Sequence, residues 1–286
     1  MKTKKYEVLL EPSRTWFDFE LQDFLNYRYL LILSVRRDFV AKYKQTILGP
    51  IWLVLQPLLG SVVFTVIFGM VAEIPTDGLP TFLFYLCGQL GWNYFSHTYG
   101  SSACCLQQNA EIFRKVYFPR LIPPVSVCFS NLITSGIHLC VFFIFFAYFK
   151  TQEGFEFNCT IWLFCLPLII LQGALLAMGL GFIMSALTVK YRDFSHVGGF
   201  LMQLMLYCTP IIFPLSLLIE KLPTNYQWLI HLNPLAFNIE MYRLMFLGKG
   251  TIPATLPLSS IIITLLLFFF GLIVFNKVQK NYIDYV

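Results

Sequence analysis

The residues with the most chemistry in them are ionic, and they gather in a few short stretches. Arg36, Arg37, Asp38, Lys42 and Lys44 precede the turn at Gly49-Pro50, and Glu111, Arg114, Lys115 and Arg120 fall between 107 and 124. A third group, Arg192 and Asp193, sits beside Tyr191, and Glu240 with Arg243 stands alone in an apolar stretch. A basic run that meets a long uncharged one marks where a chain enters a bilayer and from which side. The same basic groups suit anionic headgroups or an anionic substrate arriving there. Catalytic patterns are missing. The four histidines, His97, His138, His196 and His231, are scattered, and the eight cysteines show no C-x-x-C spacing. Gly248-Lys249-Gly250 lacks the spacing and hydroxyl of a phosphate-binding loop, and no H-E-x-x-H or G-x-S-x-G occurs. The residues therefore predict no catalytic site and no metal site, and any work this protein does draws its energy from elsewhere.

Composition excludes further classes. Of 286 residues 57% are hydrophobic and 12% charged, and the mean hydropathy is +0.69, so a water-soluble domain would expose too much apolar surface. A net charge of +5 invites a nucleic-acid partner, but the positive groups sit at the ends of hydrophobic runs and not on one polar surface, so none is expected. Cysteines inside apolar runs read as small packing hydrophobes. Residues 1–34 carry ten charges and no signal-peptide pattern, which predicts a cytoplasmic N-terminus.

The elements that must position the ionic groups follow from periodicity. From Glu20 to about Thr46, Phe24, Leu31, Val35, Phe39 and Tyr43 recur at helical spacing beside charged residues, predicting an amphipathic helix in the cytoplasmic headgroup zone or a plain juxtamembrane anchor. Six runs near 50–72, 81–106, 121–149, 161–187, 196–218 and 256–276 contain no Asp, Glu, Lys or Arg. About 20 residues at roughly 1.5 Å each cross a hydrocarbon core, so each run is long enough. A charge at mid-membrane is costly and usually kept for ion coupling, so its absence argues against an ion-coupled carrier. With both termini inside, 16 of the 20 Lys and Arg residues are cytoplasmic, as the positive-inside rule requires.

The connections carry the rest. Asn109 to about Tyr117 reads as a short polar helix closed by Pro119, and Val189–His196 is too short for a domain. The external stretch from Ile219 to Thr255 is too apolar for a solvated loop, and Asn233-Pro234 splits it into two runs of 10–14 residues. That predicts a helical hairpin dipping in from outside, in preference to two helices lying flat, with Glu240 and Arg243 pairing at i, i+3. Ala177, Gly181 and Ser185 at four-residue spacing allow close helix contact.

The chain resembles the permease subunits of ABC-2-type polysaccharide exporters, the family that moves O-antigen and teichoic-acid chains. The resemblance is carried by Arg37-Asp38 with Tyr43-Lys44, Leu48-Gly49, Trp52 and Pro57; by Asn109 to Pro119-Arg120; by Tyr191-Arg192-Asp193-Phe194; by Tyr207 to Pro214; and by Asn233-Pro234 with Arg243. It implies an all-α polytopic domain over residues 1–286, with a lead-in and interface helix in 1–49, six spans in 50–276, a coupling helix, a re-entrant external hairpin and a tail at 277–286. It implies a homodimer, two separate ABC ATPase subunits that bind ATP and magnesium, and a lipid-linked glycan substrate in a bacterial inner membrane. ATPase coupling is expected of Asn109, Glu111, Arg114, Lys115, Tyr117, Arg120, Tyr191, Arg192 and Asp193. The cytoplasmic mouth is expected at Arg36, Arg37, Asp38, Lys42, Tyr43 and Lys44. An external gate is expected at Tyr207, Thr209, Pro210, Phe213, Pro214, Asn233, Pro234 and Arg243. Export of a small drug or lipid by the same architecture remains the alternative, and a membrane-embedded transferase a further one.

Overall fold

A computed structural model describes residues 26–44, 47–115, 118–153 and 161–280, which form helices and connections only. In chain order these are α1 (Arg28–Tyr43), α2 (Ile51–Phe64), α3 (Thr81–Ala103), α4 (Cys105–Gln108), α5 (Ala110–Lys115) and α6 (Ile122–Glu153). Then come α7 (Leu166–Lys190), α8 (Phe194–Cys208), α9 (Leu215–Lys221), α10 (Trp228–His231), α11 (Pro234–Leu247) and α12 (Leu256–Lys280). Four stretches are long and apolar enough to cross a membrane: Ile51–Val71, Ile122–Thr151, Ile161–Lys190 and Leu256–Gln279. The chain is a helical membrane protein.

The first of these stretches is not a uniform helix. Pro57 lies inside α2 without an N–H to donate, and the hydroxyls of Ser61 and Thr65 turn back onto the carbonyls of Pro57 and Ser61 at 2.8 and 2.7 Å. Beyond Phe64 the chain widens into a π-helix, Thr65–Val71.

Two of the predicted runs look different in three dimensions. The stretch 81–106 becomes α3, 23 residues long, followed by a kink at Cys104 and the short α4. It is less apolar than the four because other helices surround it; every residue from 83 to 92 is buried, so it needs no lipid-compatible outer face there. The stretch 196–218 is not one helix. α8 ends at Cys208, Thr209 is extended, and α9 restarts only at Leu215, because Pro210 and Pro214 cannot continue the backbone ladder across Thr209–Pro214.

α3 forms the centre, packed against α6, α7 and α11, while α7 also packs along α12. Aromatic rings fill this core, with Phe84, Phe95, Phe142, Phe182, Phe246 and Phe275 fully buried. The small-residue stripe of α7 does face a neighbour. A Cβ on Gly181 would stand 2.5 Å from Ser102 Cβ, so only glycine lets α3 approach this closely.

The two arms of the predicted external hairpin are unequal. Its first arm breaks into α9, a 3-10 turn at Thr224–Tyr226 and the four-residue α10, short of the predicted 10–14. Its second arm, α11, has 14 residues and is buried almost throughout. Asn233 Oδ1 accepts from Leu235 N at 3.0 Å as N-cap, Pro234 occupies N1, and Gly248 at φ 68° closes the helix in the left-handed conformation.

Candidate functional site

Of the predicted external residues, Arg243 sits at the centre of a buried junction. Arg243 Nη1 pairs with Glu240 Oε1 at 2.7 Å, both side chains almost wholly buried at 1% and 2% exposure. Arg243 Nη2 donates to Ile211 O at 3.0 Å in the proline-bounded break, and its guanidinium lies 3.7 Å from the centre of the Phe84 ring. Glu240 accepts from the backbone N–H of Leu215 at 3.1 Å and of Thr251 at 3.3 Å. One ion pair on α11 thereby fastens α3, the break after α8, the start of α9 and the strand of chain leading to α12. Gly88 makes the room, since a Cβ there would stand 3.2 Å from Arg243 Nη2.

A second tie lies beside it. Asn233 Nδ2 donates to Cys208 O at 3.0 Å and to Thr209 Oγ1 at 3.1 Å, joining the cap of α11 to the end of α8. Tyr207, Pro210, Phe213, Asn233 and Pro234 line an apolar cavity of about 640 Å³ that reaches Leu180 and Leu267 on the crossing helices. Pro214 is the N-cap of α9. Phe84, Gly88, Ile211 and Thr251 are members of this junction that sequence reasoning missed.

At the predicted cytoplasmic mouth, α1 presents Leu31, Val35 and Phe39 half-buried along one line and packs on α6. Its outward face mixes Ile32 and Leu33, each 63% exposed, with exposed Arg36 and Arg37, so the separation of polar from apolar is weaker than predicted. Arg37 Nη2 pairs with its neighbour Asp38 at 2.8 Å, and Asp38 Oδ2 accepts from Ser126 Oγ on α6 at 2.9 Å. One turn on, Lys42 Nζ donates to Asn131 Oδ1 at 2.6 Å, and Asn131 Nδ2 donates to Thr98 Oγ1 on α3 at 3.3 Å. Desolvation lowers the Lys42 ammonium below its ordinary pKa, with Asp38 acting in the opposite direction. Lys44 and Arg36 are exposed. The side chain of Tyr43 and residues 1–25 lie outside the described residues.

The predicted coupling residues fall on two neighbouring connections. α5 carries exposed Glu111 and Lys115, and Phe113 anchors it against Phe118 at 5.3 Å between ring centres, with the Arg120 guanidinium 5.8 Å from the Phe113 ring. Asn109 turns inward, its Nδ2 donating to Cys105 O at 2.8 Å. The Arg114 side chain and Tyr117 lie outside the described residues. Tyr191, Arg192 and Asp193 are all exposed, and Arg192 and Asp193 form no ion pair with each other. Gln107 Nε2 donates to Thr188 O at 3.0 Å, which brings the two connections together; neither residue was signalled by the sequence. Among the described residues no three His, Cys, Asp or Glu side chains come together as metal ligands.

The geometry is that of a helical membrane protein with two exposed, charged connections on one side and a locked junction on the other. The family model for the ABC-2 type transporter matches residues 29–247, most of the chain, and the protein belongs to that family. A protein from Klebsiella pneumoniae named O-antigen export system permease protein RfbA is 29% identical over 259 residues, covering 89% of this chain and 94% of its own. A protein of the same name from Myxococcus xanthus is 26% identical over 244 residues, covering 84% and 88%.

Proposed function

We propose that this chain is the transmembrane subunit of an ATP-driven exporter of a lipid-linked polysaccharide, working as a homodimer with two separate ABC ATPase subunits that bind ATP and magnesium. The observation that carries this is the family match over residues 29–247 together with relatives named for O-antigen export. In this reading α3 and α8 are spans two and five beside the four apolar crossings, both termini are cytoplasmic, the membrane is a bacterial inner membrane, and α9 to α11 form the external re-entrant hairpin. α5 and the Tyr191–Asp193 turn meet the ATPases. Closure of the ATPase pair moves the permease only if α5 binds the closed and open pairs with different affinity.

Deleting the gene tests this. Cells should lose a surface polysaccharide and accumulate its lipid-linked precursor inside, and the intact gene should restore both. An unchanged cell surface with altered efflux of a small amphiphile would favour the alternative, an exporter of a small lipid or drug.

A further inference from the structure

Between 92 and 104, along α3 and its C-cap, the residues that stay half-buried or exposed are Asn93, Ser96, His97, Gly100, Ser101 and Cys104. They recur at spacings of three and four, which is one helix face, and none has a hydrocarbon side chain. The neighbouring α6 is the opposite: its exposed positions from 129 to 144 include Phe129, Ile133, Phe143 and Ile144. An α-helix satisfies its own backbone in lipid, but a face of amide, hydroxyl and imidazole groups there is left without partners. The face of α6 suits acyl chains. That of α3 suits water.

The surroundings agree. α1 and α3 both pack on α6, so α6 forms a floor between them. Lys42, Asn131 and Thr98 bridge it, and a Cβ built on Gly100 meets nothing within 4 Å. Asn93, Tyr94, His97, Asn131, Thr134, Ser135 and His138 line a small cavity of about 10 Å³, room for about one water. His138 is only 3% exposed and its Nε2 has no partner among the described residues. A buried ring nitrogen without a partner, on a residue that lines a cavity, calls for a hydrogen-bonding ligand.

We propose that α1, α3 and the polar side of α6 enclose a hydrated cleft in the cytoplasmic half of the membrane, which receives uncharged, polyhydroxylated segments of the cargo. Amide, hydroxyl and imidazole groups can between them both donate and accept, as sugar hydroxyls do. Lys42, beside the cleft, is held by Asn131. The cargo class rests on the export reading above; the hydration of the cleft does not.

Membrane vesicles containing Ser96→Cys or Gly100→Cys are treated with a charged, membrane-impermeant thiosulfonate, with modification read by peptide mass. The natural Cys140, exposed on α6, is the lipid-facing reference. Modification at positions 96 and 100 should be at least tenfold faster than at Cys140. Equal rates, or a ready disulfide between two copies of Gly100→Cys without modification, would overturn the cleft. Bulky modification of Gly100→Cys should then cut surface-polysaccharide export at least tenfold below that of the same variant left unmodified. Full modification with unimpaired export would overturn the cargo assignment alone. A wild-type protein that exports no polysaccharide would instead overturn the export reading, leaving the labelling result to stand by itself.

Discussion

The two ends of this protein are fastened in different ways. At the Glu240–Arg243 junction a fully buried ion pair, a ring face and three backbone groups converge, so Glu240 and Arg243 hold four separate parts of the chain at once. At the opposite end α1 rests on α6 through half-buried Leu31, Val35 and Phe39, with single hydrogen bonds from Asp38 to Ser126 and Lys42 to Asn131 as its polar ties, and the charged connections project into solvent. A buried pair is costly to form but very costly to leave half-made, whereas one isolated hydrogen bond is worth about 1 kcal/mol. The junction end is therefore costly to rearrange, whereas each polar tie of α1 is worth little.

The largest effect should come from Arg243→Met. It strands the Glu240 carboxylate without its cation and removes the donor to Ile211, at a cost of about 3–5 kcal/mol. The double variant E240L/R243M removes both charges and should regain more than half of that loss in thermal unfolding of the detergent-solubilised protein. If the single variant costs no more than a surface substitution, the junction is not what holds its end of the molecule.

The pairing within this junction was legible, since Glu240 and Arg243 lie three apart on one helix. Its other partners were not. Ile211 and Leu215 contribute backbone atoms and Phe84 a ring face, and none of these has a residue-type signature in the sequence. The break in the fifth run was visible in Pro210 and Pro214, but continuous apolar composition out to residue 218 masks a backbone interruption. The joint of α1 with α6 was half legible in the same way: Asp38 and Lys42 stand out as charges, whereas Ser126 and Asn131 sit inside an apolar run some 90 residues on, with nothing local to link them. The positions of the polar loops were readable from charge alone; that Gln107 ties them together required the fold.

A smaller effect should follow at the joint of α1 with α6. Lys42→Met removes the donor to Asn131, and Asn131→Leu removes the acceptor together with the donor to Thr98. Each should cost about 0.5–1.5 kcal/mol of global stability. Hydrogen exchange should nevertheless rise at least threefold in Arg28–Tyr43 amides, while exchange in α11 stays unchanged. Equal acceleration at both ends would erase the distinction between a locked end and a loose one.

The smallest effect on stability should come from reversing charge on α5. Glu111 and Lys115 are exposed there, and surface substitutions away from packing usually change stability by less than about 0.5 kcal/mol. Arg114→Glu combined with Lys115→Glu should therefore leave insertion and the unfolding temperature as in the wild type. On the proposed coupling role, the same variant should abolish export, because α5 loses its affinity for an ATPase when its charge is inverted, although its own fold is intact. Phe113, which anchors α5 on Phe118, supplies the contrast: Phe113→Ala should lower stability and export together. If export survives the double reversal, α5 is only a turn that keeps the chain's positive charge inside, and the loose end of this molecule is loose for some other purpose.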